Sequence, residues 1–295
     1  MSRRISRIES LDTLAAINGV PIEEIDRRCH PLEDRTQDPE CWRLRSATGF
    51  IPDGTRLADV LRRDWETVVH TLGTTHTELA ALLAEVVATA RSLRRRGTLT
   101  PVEFAFRGAT RLRVESFVFN APQYSPFIHD PSTATGKGDL PLAPLVVESA
   151  EVPAANDPVP PTLLCKQCWD TEHVLTNIDN GVSVRVAEGV IGFIDEIGFY
   201  EGGDSNPYRV DPLLLWAVLF GRPRDNTQLS GQIRDALVRV GRALAAEVLG
   251  PLEGIREMGG KTPEEEAWLQ TYLEREQGRA SEIEALYAGL AAKFD

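Results

Sequence analysis

Two cysteines and a histidine lie close together in the segment "LLCKQCWDTEH", residues 163–173. Cys165 and Cys168 have the two-residue separation of a zinc knuckle, in which both sulfurs point at one ion, and His173 follows five residues later. A structural zinc site needs four Cys or His ligands, but Cys29 and Cys41 have eleven residues between them, which is not a knuckle spacing. We therefore consider a zinc site that uses Cys165, Cys168 and His173, and favour the alternative of packed structural cysteines without a cofactor.

Two further segments combine aromatic, amide and charged side chains in turn-rich sequence: "FNAPQYSPFIHD", residues 119–130, and "FYEGGDSNPYRVDP", residues 199–212. Loops of this composition on a rigid scaffold often bind ligands or partners. The predicted binding residues are Asn120, Gln123, Tyr124 and His129 in the first loop and Tyr200, Glu201, Asp204, Tyr208 and Arg209 in the second. A purely structural alternative is favoured for the second loop, with Asp211 capping the next helix and Arg209 paired with Asp211.

Familiar catalytic patterns are absent from the sequence. Ser125, His129 and Asp130 occupy one short segment, whereas the members of a nucleophile triad normally come from separate elements. The segment "STATGKGDL" lacks the glycine and hydroxyl positions of a phosphate-binding loop. A redox pair at Cys165 and Cys168 is disfavoured because no parallel-sheet pattern precedes it. The sequence therefore leaves open whether the protein is an enzyme.

The composition is that of an ordinary globular protein, with 42% hydrophobic and 26% charged residues. Its net charge of −12 is uneven: residues 1–120 hold 18 basic and 17 acidic residues, and residues 121–295 hold 14 and 27. An acidic surface repels nucleic acid. The longest apolar run, "LLLWAVLF", has eight residues where a membrane span needs about 20. No secretory signal follows the basic N-terminus, so we expect a cytoplasmic protein without membrane contact.

The segment "TLAAINGVPIEEI" has the outline of a DNA-binding helix-turn-helix. Ala15, Gly19, Val20 and Ile25 have the spacing that holds two short helices at an angle. The second helix, however, carries Glu23, Glu24 and Asp26, which have the wrong sign for phosphate contact. Helix packing unrelated to DNA is the favoured interpretation.

Hydrophobic periodicity predicts most of the regular elements. Residues 9–29 predict two short helices, residues 55–96 a helical hairpin, residues 181–198 a helix, and residues 212–220 a buried helix. Thr75 and Glu78 predict a capping box that opens the second helix of the hairpin. "VEFAFRG" and "RLRVESFVFN" predict two strands joined near Gly108. Two amphipathic helices follow residue 226, and "TPEEE", beginning at Thr262, is predicted to cap the second. The residues predicted to face inward are Leu229, Ile233, Leu237, Val240, Leu244 and Val248 of the first helix and Trp268, Tyr272, Ile283, Leu286, Leu290 and Phe294 of the second. The expected fold is a predominantly helical α+β protein, with helical hairpins around a small antiparallel sheet and a C-terminal helix pair.

Composition and element order predict three parts. Residues 1–50 form a short helical segment, residues 51–225 an α+β core, and residues 226–295 a hairpin packed on that core. A Pro-rich excursion, residues 121–161, contains nine of the 19 prolines. Our leading functional hypothesis is a binding or regulatory protein that acts through a protein partner or small molecule. The alternatives are a metal-assisted hydrolase that uses Glu201, Asp204 and His129 or the cysteines, and a DNA-binding regulator that uses the N-terminal helix-turn-helix-like segment. The apolar stripes of the last two helices also allow a homodimer.

Overall fold

The computed structural model describes residues 16–17, 20–30, 50–52, 54–94, 100–118, 171–203, 209–223, 225–259 and 262–295. In these ranges the chain is mostly helical with a small four-stranded antiparallel sheet, which confirms the predicted fold class. The helices are α1 (Ile22–Cys29), α2 (Leu57–Trp65), α3 (His76–Leu93), α4 (Glu188–Ile197), α5 (Pro212–Phe220), α6 (Thr227–Met258) and α7 (Pro263–Ala291). The strands are β1 (Ala16–Ile17), β2 (Val20–Pro21), β3 (Val102–Phe106), β4 (Thr110–Val118), β5 (Thr171–Asn177) and β6 (Ser183–Ala187).

The main sheet has the order β3-β4-β5-β6, and every neighbouring pair is antiparallel. Strands β3 and β4 are the predicted hairpin, whose turn places Arg107 and Gly108 at positive φ. Strand β5 had no sequence prediction. The single helix predicted over residues 181–198 is wrong in its first half, because β6 precedes α4. Val182, Val186 and Val190 are four residues apart, and this spacing fits both the period of a strand and that of a helix.

Helices α3, α4, α5 and α6 cover the apolar face of the sheet, and the main core lies between them. The predicted capping box at the start of α3 is confirmed, since Thr75 and Glu78 each cap the other's backbone N–H. A π-helical segment, Glu66–Thr71, continues α2. The predicted start of α5 is also confirmed, because Asp211 accepts hydrogen bonds from the backbone N–H groups of Leu213 and Leu214.

The C-terminal end of α5 is buried against the turn that joins β5 and β6. The last carbonyls of a helix lack donors from a following turn, and a buried helix end without partners would be costly. The carbonyl of Ala217 accepts from the backbone N–H of Gly221 at 3.0 Å, and side chains supply further donors. Asn177 donates to the carbonyls of Ala217 and Val218, at 3.3 and 3.0 Å, and Asn180 donates to that of Ala217 at 3.0 Å. This side-chain cap holds α5 against the sheet.

The N-terminal segment contains a strand pair followed by one helix. The prediction of two short helices in residues 9–29 is confirmed for α1. It is wrong at residues 16–17 and 20–21, where Ala16–Ile17 pairs antiparallel with Val20–Pro21. Val20 precedes a proline, which disfavours the helical conformation at Val20. The structure therefore has a strand where the first helix of the helix-turn-helix outline would end, and residues 9–15 lie outside the described residues. A second apolar cluster joins α1, α2 and α4 through residues that include Ile25, Phe50 and Phe193.

Helices α6 and α7 form a long antiparallel hairpin of 32 and 29 residues. The ideal Cβ position at Gly241 lies 2.5 Å from Cβ of Tyr287, so the two helices approach closely where glycine allows it. Leu237 and Phe294 bury against the main core as predicted. Trp268 and Leu286, also predicted to face inward, are instead 66% and 60% exposed. The three-part domain division stays a prediction.

No helix in the described ranges combines the length and the apolarity needed to cross a membrane.

Candidate functional site

Most of the predicted binding residues lie outside the described ranges. These are Asn120, Gln123, Tyr124, His129, Asp204 and Tyr208, together with the predicted metal ligands Cys165 and Cys168. Their predicted roles stay predictions. Tyr200, Glu201, Arg209 and His173 are described, and all four side chains are largely or fully buried.

Arg209 forms a buried ion pair with Asp64 of α2. Its Nη1 donates to Oδ2 of Asp64 at 2.9 Å and to the carbonyl of Gly202 at 2.5 Å, while Nη2 donates to the other carboxylate oxygen. Burial raises the pKa of Asp64 and the positive charge of Arg209 opposes that rise. The predicted partner of Arg209 was Asp211, and this is wrong. Asp211 caps α5 and accepts a hydrogen bond from Arg239 at 2.8 Å.

Tyr200 and Glu201, at the start of the same loop, also face the protein interior. The hydroxyl of Tyr200 lies 3.0 Å from Nδ1 of His76, and burial lowers the pKa of His76 to about 4. Glu201 is buried at a positive φ of 63°, which is uncommon for a residue with a Cβ. Burial, together with the nearby negative charge of Glu172, raises the pKa of Glu201 to about 8. In the described part of this loop, the predicted binding residues thus contribute to the packing of α2, α3 and α5.

A second polar cluster, which sequence reasoning missed, lies at one end of the sheet. Oγ of Ser116 is 2.6 Å from Nδ1 of His173, and Nε2 of His173 is 2.8 Å from Oε1 of Glu188. Two arginines flank this chain: Arg94, the residue after α3, donates to Oγ of Ser116, and Arg91 of α3 donates to Oε1 of Glu188 at 2.6 Å. We call Ser116, His173, Glu188, Arg91 and Arg94 the sheet-end relay.

Three elements position the sheet-end relay. Ser116 of β4 and His173 of β5 are direct cross-strand partners on the face that points to the core. Glu188 is the first residue of α4, where the helix dipole favours a negative charge. Arg91 and Arg94 come from the end of α3, which packs on α4. The detectable sequence signal was the polar Ser116 that follows Leu112 and Val114 at strand spacing.

The electrostatics of the relay favour an ionised Glu188. Burial is the largest single influence and disfavours the charged carboxylate. Interaction with His173, together with the positive charge and hydrogen bond of Arg91, nevertheless lowers the pKa of Glu188 overall. Burial, followed by repulsion from Arg91, lowers the pKa of Arg94. The relay therefore holds a carboxylate at one end and a guanidinium at the other.

The predicted metal site is only partly covered by the structure. Both ring nitrogens of His173 lie within hydrogen-bond distance of protein side chains, so a metal would have to displace Ser116 or Glu188. Within the described ranges, no three His, Cys, Asp or Glu side chains are grouped as metal ligands would be. Cys29 is a buried free thiol, and burial raises its pKa. The zinc prediction for Cys165, Cys168 and His173 stays a prediction.

The far part of the C-terminal hairpin has an apolar cluster of its own. We call residues 243–286 the outer hairpin. Leu252, Leu269 and Leu273 form this cluster, with Ile255 and Tyr272 packed against it, and every member belongs to α6 or α7. The outer hairpin holds ten glutamates against four basic residues, Arg256, Lys261, Arg275 and Arg279, so its net charge is −6.

Among the described side chains of the outer hairpin, Trp268 is the most exposed large apolar residue. Its ring stacks on Tyr272 with a centroid distance of 5.5 Å and an interplanar angle of 17°. The guanidinium of Arg275 lies over the ring of Tyr272, 5.1 Å from the ring centroid. The three side chains thus present a preformed, solvent-facing aromatic surface on an acidic background.

Comparison with known proteins gives no relative: no protein-family model matches the chain, and no curated protein or solved structure matches it significantly. The functional argument therefore depends on the sites alone.

Proposed function

We propose that this chain is a cytoplasmic binding or regulatory protein that acts through a protein partner, and that the outer hairpin is its binding surface. The exposed stack of Trp268 on Tyr272 is the observation that carries the proposal. Trp, Tyr and Arg dominate the binding energy of protein interfaces. Trp268 is 66% exposed, so most of its apolar surface gains the free energy of burial only when a partner covers it.

The charge of the outer hairpin specifies the kind of partner. A net charge of −6 within 44 residues attracts a basic surface and repels a second copy of the same hairpin. The partner is therefore a protein with a basic face and an apolar pocket that accepts Trp268. This surface differs from the second predicted binding loop, in which Arg209 and Tyr200 are engaged with Asp64 and His76.

The hairpin geometry suits this role. Trp268, Tyr272 and Arg275 lie on consecutive turns of α7, so one helix face presents all three side chains. The stack is formed without a partner, which reduces the conformational entropy lost on binding. The apolar cluster of Leu252, Leu269 and Leu273 supports that face from inside the hairpin.

The test compares affinity capture by wild-type protein with capture by Trp268→Ser and by a control, Leu93→Ala. Leu93 is 53% exposed at the end of α3, so its truncation removes exposed apolar surface away from the outer hairpin. We expect one basic partner to bind wild type and the control alike. Trp268→Ser should bind this partner more weakly by about 2 kcal/mol or more, roughly 30-fold in Kd, because it removes a hot-spot tryptophan. Binding should also weaken as salt rises.

Light scattering after size exclusion tests whether a second copy of the chain, rather than another protein, covers the outer hairpin. We expect a monomer at low micromolar concentration, because like charges oppose pairing of two outer hairpins. A dimer that Trp268→Ser dissociates would replace the proposal with self-association. Partner capture that is unchanged by Trp268→Ser would show that the outer hairpin is not the binding surface.

A further inference from the structure

We propose that the sheet-end relay is a nucleophilic site that cleaves small carboxylic esters, with Ser116 as nucleophile, His173 as general base and Glu188 as the group that orients His173. This activity goes beyond partner binding, and it uses no residue of the outer hairpin. A hydroxyl, an imidazole and a carboxylate in consecutive hydrogen-bond contact are the arrangement that activates a serine. The three residues come from three separate elements, β4, β5 and α4.

The groups at the two ends of the relay fix the direction of its hydrogen bonds. Arg94 can only donate, so Oγ of Ser116 accepts from Arg94 and directs its own proton to Nδ1 of His173. Because Nδ1 of His173 accepts from Ser116, a neutral His173 carries its proton on Nε2 and donates it to Oε1 of Glu188. The unprotonated nitrogen of His173 therefore faces the serine hydroxyl, as a general base must.

The arginines add charge where the reaction needs it. Arg94 places a positive charge on Ser116, which stabilises negative charge that develops on the oxygens near this residue during attack. Arg91 holds the carboxylate of Glu188 by a second hydrogen bond and so fixes its position toward His173. Ser116 is only 4% exposed, and this limited access favours a small acyl group over a peptide.

The reaction is a two-step acyl transfer to water. Oγ of Ser116 attacks the ester carbonyl and forms a bond to the acyl carbon, while its proton passes to Nδ1 of His173. The ester C–O bond then breaks, and the alcohol leaves with that proton. Water next gives a proton to His173 and attacks the acyl carbon, the bond to Ser116 breaks, and Ser116 recovers its proton as the carboxylic acid is released. Only ester and water are consumed.

The first experiment treats the folded full-length protein with a small fluorophosphonate and locates the adduct by peptide mass spectrometry. We expect labelling at Ser116. The matched control is Ser92→Ala, because Ser92 is an exposed serine of α3 whose hydroxyl bonds only its own helix in the described structure. This control should be labelled as wild type is. Labelling at another serine, or none under conditions that label a known serine esterase, would overturn the proposal.

The second experiment measures hydrolysis of p-nitrophenyl acetate by wild type, Ser116→Ala, Glu188→Gln and Ser92→Ala, each checked for folding by circular dichroism. Ser116→Ala should lose at least about 100-fold in kcat/KM, and Ser92→Ala should lose none. Glu188→Gln should lower kcat more than it raises KM, because it disturbs the orientation of His173. Equal hydrolysis by folded Ser116→Ala and wild type would reject the nucleophile. Should Ser116→Ala not fold, the labelling experiment on wild-type protein decides.

Discussion

Removal of Arg209 should leave Asp64 buried without its bidentate partner and destabilise the protein in a pH-dependent way. In the variant Arg209→Met, Asp64 either stays ionised in a fully buried position or takes up a proton. Breaking a buried ion pair typically costs about 3 to 5 kcal/mol. Protonation sets an upper limit on this loss, since a carboxyl with an ordinary pKa of 3.8 can be neutralised at pH 7 for about 4.4 kcal/mol. The expected loss at pH 7 is therefore about 3 to 4 kcal/mol.

The same reasoning fixes the sign of the pH effect. Without Arg209, the pKa of Asp64 in the folded state rises further above its value in the unfolded chain. The variant is then most stable at low pH, where Asp64 is protonated, and it loses stability as pH rises through the folded-state pKa of Asp64. Neutralisation at pH 5 costs only about 1.6 kcal/mol, so Arg209→Met should be destabilised less at pH 5 than at pH 7 by about 2 kcal/mol.

Urea unfolding followed by circular dichroism at both pH values measures these losses. The double variant Asp64→Leu/Arg209→Met removes both charges and should be more stable at pH 7 than Arg209→Met alone. The control is the exposed pair of Arg56 and Asp59, whose disruption by Arg56→Met should cost less than about 1 kcal/mol. A loss below about 1 kcal/mol for Arg209→Met, or a loss that is equal at pH 5 and pH 7, would refute the reasoning.

Three further outcomes are expected from urea unfolding. Because the pKa of Glu201 is raised to about 8, stability should fall as pH rises from about 4.5 to 8, by up to about 1.4 kcal/mol per pH unit. Glu201→Gln should flatten this dependence on pH. The lowered pKa of His76, about 4, means that stability falls as pH drops from 6.5 to 4, and His76→Gln should remove that loss. Gly241→Ala should cost about 1 to 3 kcal/mol because its Cβ would meet Tyr287, whereas Gly254→Ala in the same helix meets nothing and should be neutral or stabilising. Unchanged pH slopes in the first two variants, or equal effects of the two glycine changes, would contradict these expectations.

Local signals in the sequence predicted element starts accurately. The capping boxes at Thr75 and Thr262 and the cap at Asp211 depend on hydrogen bonds between residues two or three positions apart. Such signals need no knowledge of the tertiary fold, because all partners lie within one turn of helix. The start of α5 at Pro212 follows from the same principle.

Strand pairing was the main failure, and its cause is physical. Strand β5 carries Glu172, His173, Thr176 and Asn177 among only two aliphatic residues, so its composition does not indicate a buried strand. Its inward polar side chains are tolerated because each finds a partner from a distant segment: Asn177 on α5, and His173 on Ser116 and Glu188. These partners are 15 to 57 residues away in sequence, and periodicity contains no information about them.

The candidate sites show the same division between local and long-range information. The sequence identified Arg209 and Tyr200 as residues of interest, but their partners, Asp64 and His76, are 145 and 124 positions away. When those distant partners are unknown, a loop rich in aromatic and charged residues is equally consistent with a binding surface and with side chains buried against the core. The prediction for Trp268 was wrong in the opposite direction. Helical spacing placed its side chain in the interior, but in α7 it is exposed to solvent.

The two proposed activities belong to separate parts of the structure and can therefore be tested independently. The apolar cluster of the outer hairpin contains residues of α6 and α7 only, whereas the sheet-end relay depends on β4, β5, α3 and α4. Distant sites that share no partners usually behave additively. Trp268→Ser should thus leave ester hydrolysis unchanged, and Glu188→Gln should leave partner binding unchanged. Loss of both activities in either variant would mean that the outer hairpin and the relay are coupled through α6 or the core beneath it.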